Sequence, residues 1–167
     1  MTDAFDAAIA LLLSPDLEGG YVNDPLDPGR ETHWGISKRS YPELNIRDLK
    51  REEAIVIYRR DFWAPLCCQD LPPAVAIVLF DSAVNQGQRP AIEMLQAALE
   101  VEVDGLMGPM TVTSARGLSK DSLALSLALF MARRGIRYSR HSMFPRYGLG
   151  WFKRMFLFHG TALAFMA

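Results

Sequence analysis

The chain has 167 residues, half of them apolar, and a formal net charge of −1. That length suits one compact domain, or one domain with two lobes, and the apolar share suffices for a real core. The lack of a basic excess argues against a nucleic-acid partner, and two adjacent cysteines, Cys67 and Cys68, cannot staple a small scaffold and read as free thiols of a reducing compartment.

Phe5, Ala8, Ile9, Leu12 and Leu13 recur at helical spacing. Thr2 or Asp3 would cap that helix, and Pro15 would end or kink it. Asp3 and Asp6 stand where a signal peptide would be basic, so the expectation is a protein made in the cytoplasm without a signal peptide. Residues 18 to 36 hold too much Gly and Pro for a helix; Tyr21-Val22 and Trp34-Gly35-Ile36 are predicted to pair as short strands around a turn from Pro25 to Gly29. Leu49, Ala54, Ile57, Tyr58 and Phe62 mark a second helix closed by Pro65. Pro72 and Pro73 suit the first turn of a third, running to Gly87. Pro90 to Leu99 reads as a fourth, Val103-Asp104-Gly105 as a turn, and Pro109 as the start of a short helix. Ser119 to about Arg140 is a long helical pattern with Gly135 as its weak point. Met143 to Gly150 reads as a loop, and an apolar terminal helix follows, divided by His159-Gly160 and too short to span a bilayer. The expected fold class is mainly α, with a small β-hairpin element near Glu18, an arrangement similar to the lysozyme superfamily.

The stretch from Glu18 to Ile36 carries the chemistry. Glycoside hydrolysis needs a carboxylic acid to protonate the leaving oxygen, and inverting enzymes also need a carboxylate to activate water. Glu18 follows the first helix, Asp27 comes nine positions later, and Thr32 five beyond that. A general acid must hold its proton near neutral pH, which partial burial favours. Each residue also has an ordinary reading. Glu18 could be a solvated acid before a Gly turn, Asp27 before Pro-Gly a turn residue, and Thr32 a strand residue. Asp24 before Pro25 is the rival second acid. Tyr21 and Trp34 fit sugar stacking or plain packing, and Asn85 and Gln86 fit sugar binding or the end of a helix before Gly87. His33, His141 and His159 are scattered, with no His-Glu-x-x-His, no Cys-x-x-Cys and no Gly-x-Ser-x-Gly elbow. No metal or organic cofactor is expected.

Several ordered motifs carry a family resemblance. Glu18-Gly19-Gly20-Tyr21, Asn23-Asp24-Pro25, Asp27-Pro28-Gly29, Thr32 and Trp34-Gly35-Ile36 resemble the signature of glycoside hydrolase family 108, the N-acetylmuramidases of bacteria and phages also called secretion activator proteins. Ala54, Ile57-Tyr58, Phe62-Trp63, Asp81, Val84-Asn85 and Gly87 continue the match. Val103-Asp104-Gly105, Gly108-Pro109 and Thr111 resemble the peptidoglycan-binding segment that usually follows, and Gly150-Trp151 and Arg154 a closing Gly-Trp-x-x-Arg. Arg30 departs from the family, which usually has a second Gly there. The Glu, Asp, Thr order is similar to that of phage-type lysozymes, with one residue fewer before the Thr, which ranks Asp27 above Asp24.

The resemblance implies a peptidoglycan hydrolase cleaving the β-1,4 bond between N-acetylmuramic acid and N-acetylglucosamine. A lytic transglycosylase and a non-catalytic wall-binding secretion accessory are the alternatives. It implies catalytic Glu18, Asp27 and Thr32, and substrate contacts at Tyr21, Trp34, Asn85 and Gln86. Residues 1–88 would form a catalytic lobe, and 89–167 a helical lobe resembling the peptidoglycan-binding segment, packed into the same domain. A monomer is expected, reaching periplasmic peptidoglycan after export or through a phage holin pore. Arg133, Arg134, Arg137 and Arg140 would be a solvated basic face, with the carboxylates of the wall peptide as the alternative partner.

Overall fold

The computed structural model describes residues 3–23 and 31–166. Among these residues seven α-helices and a three-stranded antiparallel sheet follow one another as α1 (Ala4–Leu12), β1 (Tyr21–Asn23), β2 (Glu31–His33), β3 (Ile36–Ser37), α2 (Arg51–Tyr58), α3 (Pro73–Gln86), α4 (Gln88–Ala98), α5 (Pro109–Arg116), α6 (Lys120–Ser139) and α7 (Phe144–Ala164). The mainly α class with a small β-element is as the sequence implies.

The core is built around α3. Residues Ala74 to Phe80 of this helix, and Ala83, are buried apolar positions, which is the pattern of a helix surrounded on every side. It packs against α1, α4 and α7. The buried stripe of α1 is Phe5, Ala8, Ile9 and Leu12, capped by Asp3, whose carboxylate accepts from the Phe5 amide at 3.4 Å. Phe5 meets Trp63 and Phe80 edge to face at 5.1 and 6.0 Å between centroids, a packing that suits aromatic quadrupoles. From α7, Met155, Phe158 and Ala162 are buried, so the terminal apolar segment is a packed helix. Among the described residues no helix is long and apolar enough to cross a membrane.

Three local expectations change. Trp34 and Gly35 are not strand residues. They are the two central residues of a tight turn closed by the His33–Ile36 pair, and β1 pairs with Glu31–His33 instead. Both lie at positive φ, 54° and 73°, the pattern of a type I′ hairpin turn. The β propensity of Trp and Ile hid the turn.

Met143 to Gly150 is not a loop either; α7 begins at Phe144. Pro145 falls in the first turn, where a missing N–H costs nothing, and Gly148 lets the Phe144 ring lie against the helix backbone. The second helix changes pitch at its end, because Arg59–Trp63 is a π turn in which the Ala64 amide reaches the Arg59 carbonyl at 2.9 Å.

The Asp104-Gly105 turn is held from within the protein by Gln96. The Gln96 amide donates to Asp104 Oδ1, the Leu106 carbonyl and Thr111 Oγ1 at 2.7, 3.0 and 3.2 Å, and accepts from the Gly105 amide at 2.9 Å. One buried side chain thus ties α4 to the turn and to α5.

Candidate active site

Glu18 sits on the turn that ends α1. Its amide bonds to the Leu12 carbonyl at 3.0 Å, and the Gly19 amide to the Ser14 carbonyl at 2.9 Å. A Cβ on Gly19 would lie 2.6 Å from that carbonyl, so only glycine lets the chain pass so close. Pro15 ends the helix, and the turn carries the acid just beyond it. From the other side comes the Trp34–Gly35 turn. A Cβ on Gly35 would lie 3.2 Å from Glu18 Cβ and Cγ and would overlap the Tyr58 hydroxyl. The two glycines of the signature therefore have one physical role here: they bring two backbone turns against a single carboxylate.

Trp34 pays a conformational penalty for this geometry, about 1–2 kcal/mol for a left-handed residue with a side chain. Its neighbours hold it there. Trp34 Nε1 donates to the Leu49 carbonyl at 3.1 Å, the Tyr58 hydroxyl donates to the Trp34 carbonyl at 3.0 Å, and the indole stacks on His33 at 5.1 Å. Burial, with the nearby Glu18 charge adding to it, pushes the Tyr58 hydroxyl far above its ordinary pKa, so it remains a donor at any working pH. Strain over-determined in this way is characteristic of functional sites.

The Glu18 side chain is about one-third exposed (31%) and ends on Arg154 of α7, whose Nη1 donates to Oε1 at 2.6 Å. The same guanidinium donates from Nε to Asp81 Oδ1 at 2.7 Å. The other Asp81 oxygen accepts from Arg134 Nη2, and that nitrogen also reaches the Tyr138 hydroxyl at 3.0 Å. Tyr138 in turn donates to Asn85 Oδ1 at 2.6 Å. Two carboxylates and two guanidiniums balance, so this chain of bonds buries no net charge when all four are ionised. Burial opposes the Arg154 charge, but Asp81 and then Glu18 outweigh it and hold the guanidinium above its usual range. Burial raises the Tyr138 hydroxyl.

The other expected residues are spread around this line. Thr32 is half-buried in the middle of β2, opposite Val22 and Ser37. Tyr21 is exposed, pairs with His33, and donates to Glu31 Oε1 at 2.7 Å. Facing pairs share a side of a sheet and neighbours alternate, so Thr32 and Tyr21 lie on opposite faces. Asn85 and Gln86 end α3 and line a groove of about 740 Å³ between α3, α4, α6 and α7. Glu18 is not among the groove's lining residues; Asn85 and Tyr138 connect the two. Asp27, and its rival Asp24, lie outside the described residues. Among the described residues no three His, Cys, Asp or Glu side chains form a metal cluster.

The Glyco_hydro_108 model, Glycosyl hydrolase 108, matches residues 15–87. That segment contains Glu18, both glycine turns, Asp81 and Asn85. The similarity to a solved structure runs further. The chain superposes on the structure of Brucella abortus SagA with a TM-score of 0.84 and 28% sequence identity, covering 97% of this chain and 95% of that one. No curated protein matches.

Sequence reasoning missed the partners of Glu18. Arg134 is not part of a solvated basic face; it is fully buried against Asp81. Asp81 and Arg154 stood in recognised motifs without a role. A signal was present: Asp81 is the only acid inside the apolar run of α3, and a buried charge needs a partner. Which arginine answers it could not be read, because Arg134 is 53 and Arg154 is 73 positions away.

Proposed function

We propose that the chain is a family 108 glycoside hydrolase that acts on peptidoglycan as an N-acetylmuramidase. The observation that carries this is Glu18, an acid about one-third exposed, placed between two glycine-dependent backbone turns and oriented by a buried arginine. Support comes from the family model over Glu18 and both glycine turns and from the SagA likeness over 97% of the chain.

In this reading Glu18 protonates the glycosidic oxygen between N-acetylmuramic acid and N-acetylglucosamine. Arg154 positions it, since the Glu18 oxygen bonded to Nη1 leaves the other oxygen for the leaving group. Asp27 activates water or steadies the oxocarbenium-like state, and Thr32 helps hold that water. Tyr21 and Trp34 contact the sugars, and Asn85 and Gln86 donate to the substrate where it enters the groove. Tyr21 braces the sheet through Glu31, and through Arg47, whose Nε reaches its hydroxyl at 3.5 Å. Residues 1–88 form the catalytic lobe, and 89–167 form a helical lobe that serves as the peptidoglycan-binding segment, packed into the same domain. The substrate lies outside the cytoplasm, so export or a holin pore delivers the enzyme, which works as a monomer.

The test is Glu18→Gln, which keeps an acceptor for Arg154 but cannot give a proton. Clearing of exposed cell walls should fall on the order of a hundred- to ten-thousand-fold. Mass spectrometry should find free reducing ends in the wild-type products. Anhydro-muramic ends would instead assign a transglycosylase, and a Glu18→Gln variant of near wild-type rate would remove Glu18 from the chemistry. Asp27→Asn should slow hydrolysis strongly and Asp24→Asn little; the reverse order would exchange their roles.

A further inference from the structure

The groove beside the site has more basic character than a neutral glycan requires. Its wall includes Arg133, Arg137 and Arg140, and one acid, Glu93. Glu93 is already answered by Arg89 Nε at 2.9 Å. Arg137 and Arg140 are exposed and have no carboxylate partner among the described residues. The chain as a whole is slightly acidic, so this concentration is local. An arginine in the last turn of α6 is ordinary compensation for the helix dipole. That suits Arg137 and the C-cap Arg140, and Arg133 donates from Nη2 to the Ala97 carbonyl at 3.4 Å, yet none of the three meets a carboxylate among the described residues.

The neutral polar groups of the groove have the same bias. The Tyr138 oxygen accepts from Arg134, so its own hydrogen goes to Asn85, and the atom it meets at 2.6 Å is the amide oxygen. Among the described residues the two amide hydrogens of Asn85 meet no acceptor and are open to a ligand. The Gln86 oxygen is likewise engaged, by Ser82 Oγ at 3.3 Å, and its NH₂ meets no acceptor among the described residues. Guanidiniums and amide NH₂ groups make a lining dominated by donors. The matching ligand is rich in acceptors and negatively charged, and carboxylates fit guanidinium forks in two-bond geometry. A volume of about 740 Å³ lies within the ordinary range of ligand sites, roughly 300–1,000 Å³.

Position selects among anions. Asn85 lies one helical turn after Asp81, which holds Arg154 against Glu18. Arg134 and Tyr138 make the same step on α6, and Arg154 and Trp151 on α7. The groove therefore opens one turn away from the network of the acid. Resting on the muramidase reading, we infer that this groove takes the carboxylate-bearing stem peptide that branches from the glycan at Glu18, with Arg137 and Arg140 as its carboxylate partners and Trp151, stacked on Tyr138 at 5.3 Å, as its apolar floor.

The test compares peptide-bearing glycan strands with the same strands stripped of peptide by an amidase. For the charge reversal Arg137→Glu/Arg140→Glu, the ratio of kcat/KM on the two substrates should fall about tenfold or more, through KM. Arg137→Lys/Arg140→Lys should restore part of it. Binding of a free synthetic stem tetrapeptide, followed by Trp fluorescence or calorimetry, should be weakened by salt and lost in the reversal. An unchanged ratio, with peptide binding unaffected, overturns the inference. Equal losses on both substrates would give the groove to the glycan, and a preference for a single-stranded oligonucleotide would give it to nucleic acid; either overturns it. The peptide-binding arm needs no turnover, so an inactive protein that still binds the peptide refutes the hydrolase reading and leaves this one standing.

Discussion

Asp81→Ala is the substitution that asks most of this structure. Asp81 is fully buried and accepts from both Arg134 and Arg154. Without it Arg154 keeps Glu18, but Arg134 keeps one neutral partner, the Tyr138 hydroxyl. The Nε and Nη1 atoms of Arg134 have no partner among the described residues, so nothing nearby can take over the charge. Removing one member of a buried pair typically costs about 3–5 kcal/mol. For a chain of this size, roughly 2–4 °C of Tm follows each kcal/mol, so a fall of roughly 6–20 °C is expected. Circular dichroism melts at neutral pH measure it directly. The double variant Asp81→Ala/Arg134→Met removes both charges and should recover a large part of the loss, because the expense lies in the orphaned guanidinium. Well below the melting range, Asp81→Ala should also lose turnover, since Arg154 is then held from one side. A Tm change below about 3 °C, or a double variant worse than the sum of the singles, would refute the reasoning.

Gly35→Ala should lower stability by more than about 1 kcal/mol and abolish turnover, since the residue sits at φ 73° against Glu18 and Tyr58; chemical denaturation and wall clearing report the two effects, and a stable, active variant would contradict the packing described. Burial pushes the Cys68 thiol well above its ordinary pKa, whereas Cys67 is only half-buried. A thiol reagent at mild pH should therefore titrate at most one cysteine in the native protein and both in denaturant; rapid reaction of two would show Cys68 to be accessible. Burial lowers the His159 pKa, so the unfolded chain, near 6.5, takes up a proton first. Stability should fall as pH drops below about 6.5, and His159→Gln should flatten that slope between pH 7.5 and 5.5; identical slopes would remove His159 as the cause.

The helices were legible where apolar period and punctuation agreed. Asp3, Pro15, Pro72-Pro73, Gly87 and Ser119 fall at or beside the ends of their elements. Gly135 does not interrupt α6, because it is the site where the ring of Phe152 packs closely, at 3.3 Å from a Cβ position. The failures have a common cause in tertiary contact. Phe144 over Gly148 turns a loop composition into a helix, and Leu49, Tyr58 and His33 hold Trp34 in a conformation its own propensity opposes. At the site, the position of Glu18 was legible from local signals, namely a helix, a proline and two glycines. Its partner was not, because the contact spans 136 positions and leaves no local pattern.

That span has a consequence for biosynthesis. The segment from 15 to 87 holds the acid and its glycine turns, yet the guanidinium that orients the acid belongs to position 154. A growing chain on the ribosome therefore displays Glu18 long before it can fix it, and closing so distant a contact is slow relative to helix formation. The oriented carboxylate arrives with α7, as a late event of assembly. Fragments that stop before Arg154, whether nicked by a protease or cut by design, should retain helical structure while lacking the tie that holds Glu18 in place.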